Sequence, residues 1–369
     1  MCNIKKQPTS PNKFQCIVPP YMLDKIVATG DEQLIKLVAG AKLTDNRFRG
    51  DRKLFSRFSP MEKNALMDLD IPAEFVATTP KPYRKVYDAR NTEKMSKNKL
   101  VRKEGAPEVD DPDVNRVYDS AGHVWNFYFE LFGRNSLNRA GLIIKQTVNF
   151  GKNYSNAFWT GTQMFYGDGD GELFDNFTLD LDVIAHEMTH GVIQYEADFE
   201  YAFQSGALNE SYADVFGILV KQRVLNQDVQ TSNWLIGESI VIGDEYAIRS
   251  MKDPGSAYKN HPVLGDDPQP ATMKDYKNLP SYEDAGGVHI NSGIPNYAFY
   301  VTAREIGGFA WEKAGRIWYE ALTNKNLLNA TSQFADAREA TILTANKLYG
   351  AGSLEEKAVQ YGWKMAGVV

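Results

Sequence analysis

One short stretch constrains the fold of this chain more than any other, and it reads Asp182-Val-Ile-Ala-His186-Glu187-Met-Thr-His190. His186 and His190 are four residues apart, so on a helix their imidazoles lie on one face, about one turn apart. That spacing lets one helix give two nitrogen ligands, at roughly 2.0–2.1 Å, to a single Zn²⁺ ion. Glu187 projects about 100° around the helix and can act as a general base on a metal-bound water without competing for the metal.

This H-E-x-x-H pattern is that of zinc proteases, whose catalytic metal usually takes three protein ligands and leaves a fourth position to water. A second predicted helix, capped by Ser205, offers Glu210 and Asp214 on one face. If Glu210 binds the metal, Asp214 lies one turn behind it, where it could accept the free ring N–H of a ligating histidine. The alternative is a solvated acidic face, which the apolar residues around both carboxylates argue against.

Spacing excludes other classes of zinc protease. A metzincin needs a third histidine six residues after His190 and a glycine three residues after it, and those positions hold Glu196 and Ile193. A gluzincin aminopeptidase needs an amine-anchoring segment of the Gly-x-Met-Glu-Asn type, which the sequence lacks. A zinc-bearing binding or adhesion protein that has lost catalysis is the remaining alternative. The intact Glu187 and His289 argue against it, because loss of function usually erases the base first.

Charge and hydropathy exclude two kinds of partner. A formal net charge of −6 and a sequence pI near 5.5 argue against a basic nucleic-acid-binding surface. No run approaches the roughly 18 consecutive apolar residues of a transmembrane helix, so no membrane partner is expected. The basic N-terminus has no apolar core after it, so we expect no Sec signal peptide. The protein is then either a cytoplasmic precursor or secreted by a leaderless route.

The first 70 or so residues differ from the rest. Val18-Pro-Pro-Tyr-Met22 is predicted to be an extended, proline-stiffened segment, and Leu23–Leu43 is predicted to be an amphipathic helix. A small segment with one apolar face must pack on something larger, as an ordinary extension or as a removable prosegment. The chain's two cysteines, Cys2 and Cys16, both lie here, so a disulfide framework is excluded. Cys16 is either an incidental thiol or a ligand that keeps a zinc site latent.

The body of the chain changes character near residue 180. Before it, short β-like runs at 84–88, 142–150 and 163–166 surround one helix predicted over 113–132. After it, helices are predicted over 181–195, 206–225, 294–305, 309–323, 331–348 and 354–364. The loop-rich section 226–292 is where substrate-contacting groups tend to lie. Near its end, a glycine-flanked turn presents His289 with Asp284 close enough to orient it, and Tyr201 follows the first metal helix. Spacing alone assigns neither residue a role.

Several segments, from about residue 80 to the C-terminus, form a combined pattern. They are Asn156-Ala-Phe-Trp159, Tyr166-Gly-Asp-Gly-Asp-Gly171, the motif from His186 to His190, Ser205-Gly-Ala-Leu-Asn-Glu210 with Asp214, Arg249-Ser-Met, and Gly286-Gly-Val-His-Ile-Asn-Ser-Gly293. Together they resemble the thermolysin family of neutral zinc metalloendopeptidases. The resemblance implies an α+β, two-lobed fold, with a β-rich N-terminal lobe (76–180), a helical C-terminal lobe (181–369), and the zinc helix between them. A short helical propeptide (1–75) would precede both lobes.

The resemblance also implies the parts of a zymogen of a zinc-dependent endopeptidase. One catalytic zinc ion would be held by His186, His190 and Glu210, and Glu187 would activate the zinc-bound water. Tyr201 and His289 would stabilise the tetrahedral intermediate, with Asp284 orienting His289 and Asp214 lying behind a zinc histidine.

Substrate contacts are implied by the same resemblance. Asn156 and the backbone of Ala157 would bind the substrate main chain or the leaving amine, and Arg249 would bind a substrate carbonyl. The primary specificity pocket would be lined by apolar side chains, namely Phe174, Phe177, Val183, Ile236, Ile240 and Ile248. Peptide and protein substrates should therefore be cut on the N-terminal side of large hydrophobic residues.

The sequence departs from the family at a calcium site. Members with a paired calcium site use a shared glutamate where this chain has Lys221, and a second acidic ligand where it has Leu235. Asp182 and Glu238 remain. An ammonium group can neutralise leftover carboxylates but cannot coordinate Ca²⁺. We therefore predict that the calcium pair is absent and that stability depends less on calcium.

The short N-terminal segment is the second departure. Its Pro19-Pro-Tyr-Met-Leu23 run resembles the box of the protealysin-like subgroup, which has compact propeptides. This implies that the propeptide is an intramolecular inhibitor that lies in or beside the active-site cleft. The junction is expected between residues 65 and 80, where the bonds before Phe75 and Val76 suit an apolar pocket.

Overall fold

Strands and helices alternate in the first half of the chain, and helices dominate the second half. The structure, a computed structural model, describes residues 15–36, 80–94, 97–243 and 245–369. Its strands are β1 (Gln15–Cys16), β2 (Arg84–Thr92), β3 (Lys99–Lys103), β4 (Ile144–Phe150), β5 (Ala157–Trp159), β6 (Met164–Tyr166), β7 (Leu235–Ile236) and β8 (Arg249–Ser250). Its helices are α1 (Pro20–Ala28), α2 (Pro112–Phe132), α3 (Leu181–Tyr195), α4 (Phe203–Val224), α5 (Asp284–Asn291), α6 (Gly293–Ile306), α7 (Ala314–Thr323), α8 (Phe334–Tyr349) and α9 (Leu354–Met365).

A six-stranded sheet forms the first lobe, in the order β1-β5-β6-β4-β2-β3. β4 runs parallel to its neighbours β2 and β6, whereas β1, β3 and β5 are antiparallel to the strands they adjoin. β4 is buried along most of its length, as expected for a strand with parallel neighbours on both sides. The order places β1, from the N-terminal segment, at the edge of the sheet beside β5.

Helix α2 packs on this sheet, and local sequence fixes both of its ends. The Asp111 carboxylate accepts a hydrogen bond from the Asp113 N–H at 2.9 Å, and Pro112 occupies the first helical position, where no N–H is needed. At the other end Gly133 adopts a left-handed conformation (φ 65°) that lets its N–H reach the carbonyl of Phe129. The helix predicted over 113–132 is confirmed.

Helix α3 lies between the sheet and the helical lobe, and thirteen of its fifteen residues are buried. α4 packs along it more extensively than any other pair of elements described. Gly217 permits this approach, because a Cβ atom there would lie 2.7 Å from the carbonyl oxygen of Asp182. The absence of a side chain at this position therefore lets the two helices that carry the predicted metal ligands face each other at close range.

The arrangement confirms the predicted architecture of a β-rich lobe and a helical lobe with the zinc helix between them. The helix predicted over 181–195 coincides with α3, and the others agree within a few residues, except that 309–313 forms turns before α7. The cap predicted at Ser205 is wrong. α4 begins at Phe203, which takes a positive φ (51°) with its ring against Gly286, so Ser205 lies inside the first turn. The boundaries proposed at 75 and 180 stay predictions, and residue 75 lies outside the described residues.

The N-terminal segment differs from its predicted form. The extended stretch is shorter than expected, because Pro20 already occupies the first position of α1. The helix predicted over 23–43 is interrupted: α1 ends at Ala28, and Gly30 is left-handed (φ 74°). A new helical turn starts after Asp31, whose carboxylate accepts from the Gln33 N–H at 2.8 Å. The part of the prediction beyond residue 36 lies outside the described residues. No helix in the described part of the chain is both long and apolar enough to cross a membrane.

Candidate active site

Three side chains from α3 and α4 form a fully buried cluster of potential metal ligands. His186 Nε2 lies 3.0 Å from His190 Nε2 and 3.5 Å from Glu210 Oε2, and His190 Nε2 lies 3.6 Å from Glu210 Oε1. Ligands at roughly 2.0–2.1 Å from a tetrahedral zinc ion are themselves about 3.3 Å apart. The donor set and its spacing therefore fit zinc. Among the described residues this is the one group of His, Cys, Asp and Glu with such spacing.

The far side of each imidazole is fixed by a hydrogen bond from α4. His186 Nδ1 lies 2.9 Å from the Asp214 carboxylate, and His190 Nδ1 lies 2.9 Å from the Asn209 side-chain oxygen. Both rings therefore carry a proton on Nδ1 and direct Nε2 at the cluster. The contact predicted for Asp214 is present. Asn209 is one that the sequence analysis missed, because nothing in the local pattern distinguishes it from an ordinary helical asparagine beside Glu210.

Negative charge around these histidines favours a bound cation. Burial would lower the pKa of His186, but the carboxylates of Asp214 and Glu210 raise it to about 9. Burial would likewise raise the pKa of Asp214, but the Arg249 guanidinium and His186 lower it to about 2. The cluster thus keeps its carboxylates ionised inside the protein, which a divalent metal would neutralise.

Asp214 is the centre of a second buried network. Arg249 donates to both of its oxygens, from Nε at 2.8 Å and from Nη2 at 2.7 Å, and the Asn296 side chain donates at 2.9 Å. Arg249 is fully buried, so this bidentate pair balances its charge. The pair aligns Asp214 with His186 and directs the remaining nitrogen of Arg249 toward the cleft. The role of Asn296, 82 residues away in sequence, was not predicted.

A left-handed turn places His289 beside the cluster, with its Nε2 3.6 Å from Glu210 Oε2. Asp284, Ala285, Gly286 and Gly287 all have positive φ, between 45° and 87°. This turn bends the chain so that the Asp284 carboxylate accepts from the backbone N–H of His289 at 2.9 Å and lies 2.5 Å from its Nδ1. Burial would lower the pKa of His289, but Asp284 and Glu210 raise it well above its usual value. The predicted orienting contact is present, and it favours a charged imidazolium.

Tyr201 completes this side of the site. Its hydroxyl donates to Glu210 Oε1 at 2.5 Å and lies 3.0 Å from His289 Nε2. Burial and the Glu210 charge raise its pKa well above the usual value, so it stays a hydrogen-bond donor. Two donors therefore converge beside the ligand cluster. Glu187 is fully buried on α3, directly after the first ligand histidine.

The N-terminal segment passes through this site in an extended conformation. β1 pairs with β5, and the Val18 N–H donates to the Asn156 side-chain oxygen at 3.0 Å. His289 Nε2 lies 2.9 Å from the carbonyl oxygen of Cys16, and Arg249 Nη1 donates to that of Ile17 at 2.9 Å. The Cys16 thiol donates to the Val18 carbonyl at 3.4 Å and is not part of the metal cluster.

Helix α1 anchors the segment outside the cleft. Met22, Leu23 and Ile26 are buried, and Lys25 donates to the backbone carbonyls of Leu264 and Asp266, at 2.9 Å for the latter. These contacts with the loop before α5 were not predicted, since they join positions about 240 residues apart. The segment is thus held at both the cleft and the adjoining surface.

The six residues predicted to line the specificity pocket are all fully buried within the hydrophobic core of the described chain. The Ile248 N–H donates to the Ile236 carbonyl at 2.9 Å, and the Phe174 and Phe177 ring centroids lie 6.1 Å apart. Ile17 is also fully buried, and its carbonyl accepts a hydrogen bond from Arg249, the residue that directly follows Ile248. These contacts place Ile236 beside Ile248 and Phe174 beside Phe177, and they bring the main chain of Ile17 to the neighbouring Arg249.

Lys221 occupies the position where the sequence suggested a replaced calcium ligand. Its Nζ lies 3.0 Å from Asp182 Oδ2 and 2.7 Å from Glu238 Oε1, and its side chain is 9 % exposed. Burial would lower the pKa of Lys221, but Asp182 and Glu238 raise it. The predicted neutralisation of both carboxylates by the ammonium group is therefore present. The absence of the calcium pair stays a prediction.

Comparisons with known proteins agree with this geometry. The family description "Thermolysin metallopeptidase, catalytic domain" matches residues 73–194, and "Thermolysin metallopeptidase, alpha-helical domain" matches residues 197–368. The two matches meet just after α3 and together span most of the chain.

Two of the three relatives described here match 95 % or more of the chain, so their match extends into the N-terminal segment. An extracellular metalloprotease of Pectobacterium carotovorum subsp. carotovorum is 39 % identical over 363 residues, covering 95 % of this chain and 96 % of its own. A protease of Photorhabdus sp. (strain Az29) is 48 % identical over 288 residues, 78 % of this chain and 76 % of the relative. The solved precursor of protealysin, a metalloproteinase from Serratia proteamaculans, superposes with a TM-score of 0.81 at 40 % identity. That match covers 96 % of this chain and 100 % of the other.

Proposed function

Because this chain belongs to the thermolysin family and is a zinc metalloendopeptidase in precursor form, we propose its specificity and its chemical mechanism. It hydrolyses peptide bonds on the N-terminal side of large hydrophobic residues, with Glu187 as general base. The observation that carries this proposal is the placement of His289 and Tyr201, two buried donors, beside the cluster of His186, His190 and Glu210.

Each residue of the site has a separate role in the proposed hydrolysis. The zinc ion that the cluster would hold supplies Lewis acidity to polarise the scissile carbonyl. Glu187 takes a proton from the attacking water and passes it to the leaving nitrogen. His289, charged beside Asp284, and the hydroxyl of Tyr201 donate hydrogen bonds to the oxygen on which negative charge develops.

Substrate would bind as an extended strand beside β5. The Asn156 side-chain oxygen and the Ala157 carbonyl would accept hydrogen bonds from N–H groups of the substrate main chain. Arg249 Nη1 would donate a hydrogen bond to the carbonyl of the residue after the scissile bond. That residue would place its side chain among the buried apolar groups near Phe174 and Ile248. Such a cluster favours leucine, isoleucine and phenylalanine, because it leaves a polar side chain without hydrogen-bond partners.

The N-terminal segment keeps the protein latent by occupying this same strand position. Its backbone contacts use the groups that we assign to substrate, so substrate cannot bind until the segment leaves. The family match begins at residue 73, which supports a junction between the inhibitor and the enzyme within residues 65–80.

The catalytic proposal is tested by incubating full-length wild type and Glu187→Gln side by side with zinc. We expect wild type to lose its N-terminal segment and to cut test peptides before leucine or phenylalanine. Glu187→Gln should bind one zinc ion and show turnover reduced by about 10²–10⁴-fold, the range for a positioned general base. Equal turnover by the two proteins would overturn the role of Glu187 as general base. Zinc binding without any peptide cleavage by trimmed wild type would overturn the proposal in favour of a binding protein.

The latency proposal needs a variant that loosens the segment without touching the cleft. Met22 is a fully buried residue of α1, whereas Val27 on the same helix is 36 % exposed, so Met22→Asp and Val27→Asp form a matched pair. Full-length Met22→Asp should cleave peptides faster than wild type before any trimming, with intact mass checked in the same samples. Val27→Asp should behave as wild type. If Met22→Asp stays as inactive as wild type while remaining folded, the segment is not the inhibitor.

A further inference from the structure

The N-terminal segment pairs with β5 in a defined register, as a bound peptide substrate would. β1 lies antiparallel to β5, with Gln15 opposite Trp159 and Cys16 opposite Phe158. The Ile17 N–H donates to the Ala157 carbonyl at 3.2 Å, which continues the ladder by one residue. The main chain is therefore held in fixed register through the centre of the site.

Two carbonyl groups of the segment point at the groups that handle substrate carbonyls. The Cys16 oxygen lies 2.9 Å from His289 Nε2, beside Tyr201, where charge would develop during hydrolysis. The next carbonyl, that of Ile17, accepts from Arg249 at 2.9 Å. The peptide bond directly after the first of these carbonyls joins Cys16 to Ile17.

The direction of the chain is also that of a substrate. A substrate places its scissile carbonyl at His289, the next side chain in the apolar cluster, and the next carbonyl at Arg249. The segment gives the same two carbonyl contacts in the same order, and Ile17 between them is fully buried and is a residue of the type the enzyme should prefer. A chain running the other way could not give these contacts in this order.

Resting on the proposed function, we propose that the bond between Cys16 and Ile17 is itself cleaved in the protein's own active site. Water adds to the carbonyl carbon of Cys16, and Glu187 takes a proton from that water and delivers it to the Ile17 nitrogen. The C–N bond breaks, and the second proton of the water also passes to the nitrogen, leaving a carboxylate on Cys16 and an ammonium group on Ile17. No oxidant or reductant is needed, and water is the co-reactant.

Contacts on the C-terminal side of the cut keep that product in the cleft. It retains α1, with Lys25 on the carbonyls of Leu264 and Asp266. Ile17 and Val18 also stay on Arg249 and Asn156. The product that begins at Ile17 is therefore a shortened precursor that is still latent.

The test monitors full-length, zinc-loaded wild type by intact mass and N-terminal sequencing across a hundredfold range of protein concentration. We expect a peptide that ends at Cys16 and a chain or fragment that begins at Ile17, at a fractional rate independent of concentration. Glu187→Gln should show neither product. Ile17→Ala should slow this cut by at least about tenfold, since it removes more than one carbon from the buried side chain that would occupy the specificity pocket. The matched control Val27→Ala, at an exposed site on α1, should cut at the wild-type rate.

Several results would overturn the inference and leave the proposed function standing. They are wild type that cuts test peptides while the bond stays intact, a rate that rises in proportion to concentration, or equal rates for Ile17→Ala and Val27→Ala. The same new N-terminus in Glu187→Gln would also overturn it, because another protease would then be responsible. Failure of the proposed function itself has a separate signature, which is no cleavage of any test peptide by zinc-loaded, trimmed wild type.

Discussion

Replacing Lys221 by methionine should strongly destabilise the fold, because it leaves buried carboxylates without their counter-charge. The ammonium group lies 3.0 Å from Asp182, which is fully buried, and 2.7 Å from Glu238, which is 34 % exposed. Methionine fills similar volume but supplies no positive charge. Breaking a buried ion pair by removing one partner typically costs about 3–5 kcal/mol, and most of that cost falls here on Asp182.

That cost should be visible as a lower melting temperature. For domains of 150–250 residues, 1 kcal/mol shifts Tm by roughly 2–4 °C, so we expect Tm to fall by about 6–20 °C. Thermal unfolding is best measured in the Glu187→Gln background, where self-digestion does not distort the transition. Lys325→Met, at an exposed lysine, is the matched control and should shift Tm by little.

A second substitution at the same position tests the calcium prediction. Lys221→Glu adds a carboxylate beside Asp182 and Glu238, so without calcium it should be at least as unstable as Lys221→Met. Millimolar Ca²⁺ should then rescue it, by about 2.7 kcal/mol at a hundredfold excess over the dissociation constant. Wild type should show no such gain. The reasoning is refuted if Lys221→Met melts with the control, or if calcium raises the Tm of wild type as much as that of Lys221→Glu.

Three other predictions rest on the described contacts. Tyr201→Phe should lower kcat by about 10²–10³-fold while KM and zinc stoichiometry stay unchanged, and a kcat within threefold of wild type would count against its role. Asp214→Asn should weaken zinc affinity by about 10–100-fold in a chelator competition, because it loosens His186; unchanged affinity would refute this. Burial and Asp182 raise the pKa of Asp180 to about 6, so the folded state favours its neutral form and stability falls as pH rises from about 4 to 6. The Tm gain of Asp180→Asn over wild type should therefore be small at pH 4 and grow toward pH 7, and a gain that does not depend on pH would contradict it.

The parts of the site that could be predicted from sequence are those set by local geometry. A four-residue helical spacing fixed the relation of His186 to His190 and of Glu210 to Asp214, and both pairs lie as expected. The pairing of Asp284 with His289 spans five residues and could be proposed because glycines flank it. In each case the two side chains are close in sequence, and the conformation of a single backbone turn sets the distance between them. A sequence pattern can predict such a turn.

The parts that could not be predicted depend on contacts between distant segments. Asn296 reaches Asp214 across 82 residues, and Lys25 reaches the loop at Leu264 across 239. Periodicity carries no information about such pairs, because each side chain is ordinary in its own helix. The error at Ser205 has the same origin, since the start of α4 is set by packing of Phe203 on a glycine turn far along the chain.

The edge position of β5 has a consequence for which proteins the mature enzyme can attack. Once β1 leaves, β5 becomes an open edge that accepts main-chain hydrogen bonds from a partner strand. A target must therefore supply several residues in extended form, free of their own structure. Cleavage of a folded target then becomes slower as the free energy of its local unfolding rises, because only the locally unfolded form can bind. Flexible loops and unfolded chains become the natural targets, and a tightly folded protein rich in leucine is protected by its stability rather than by its sequence.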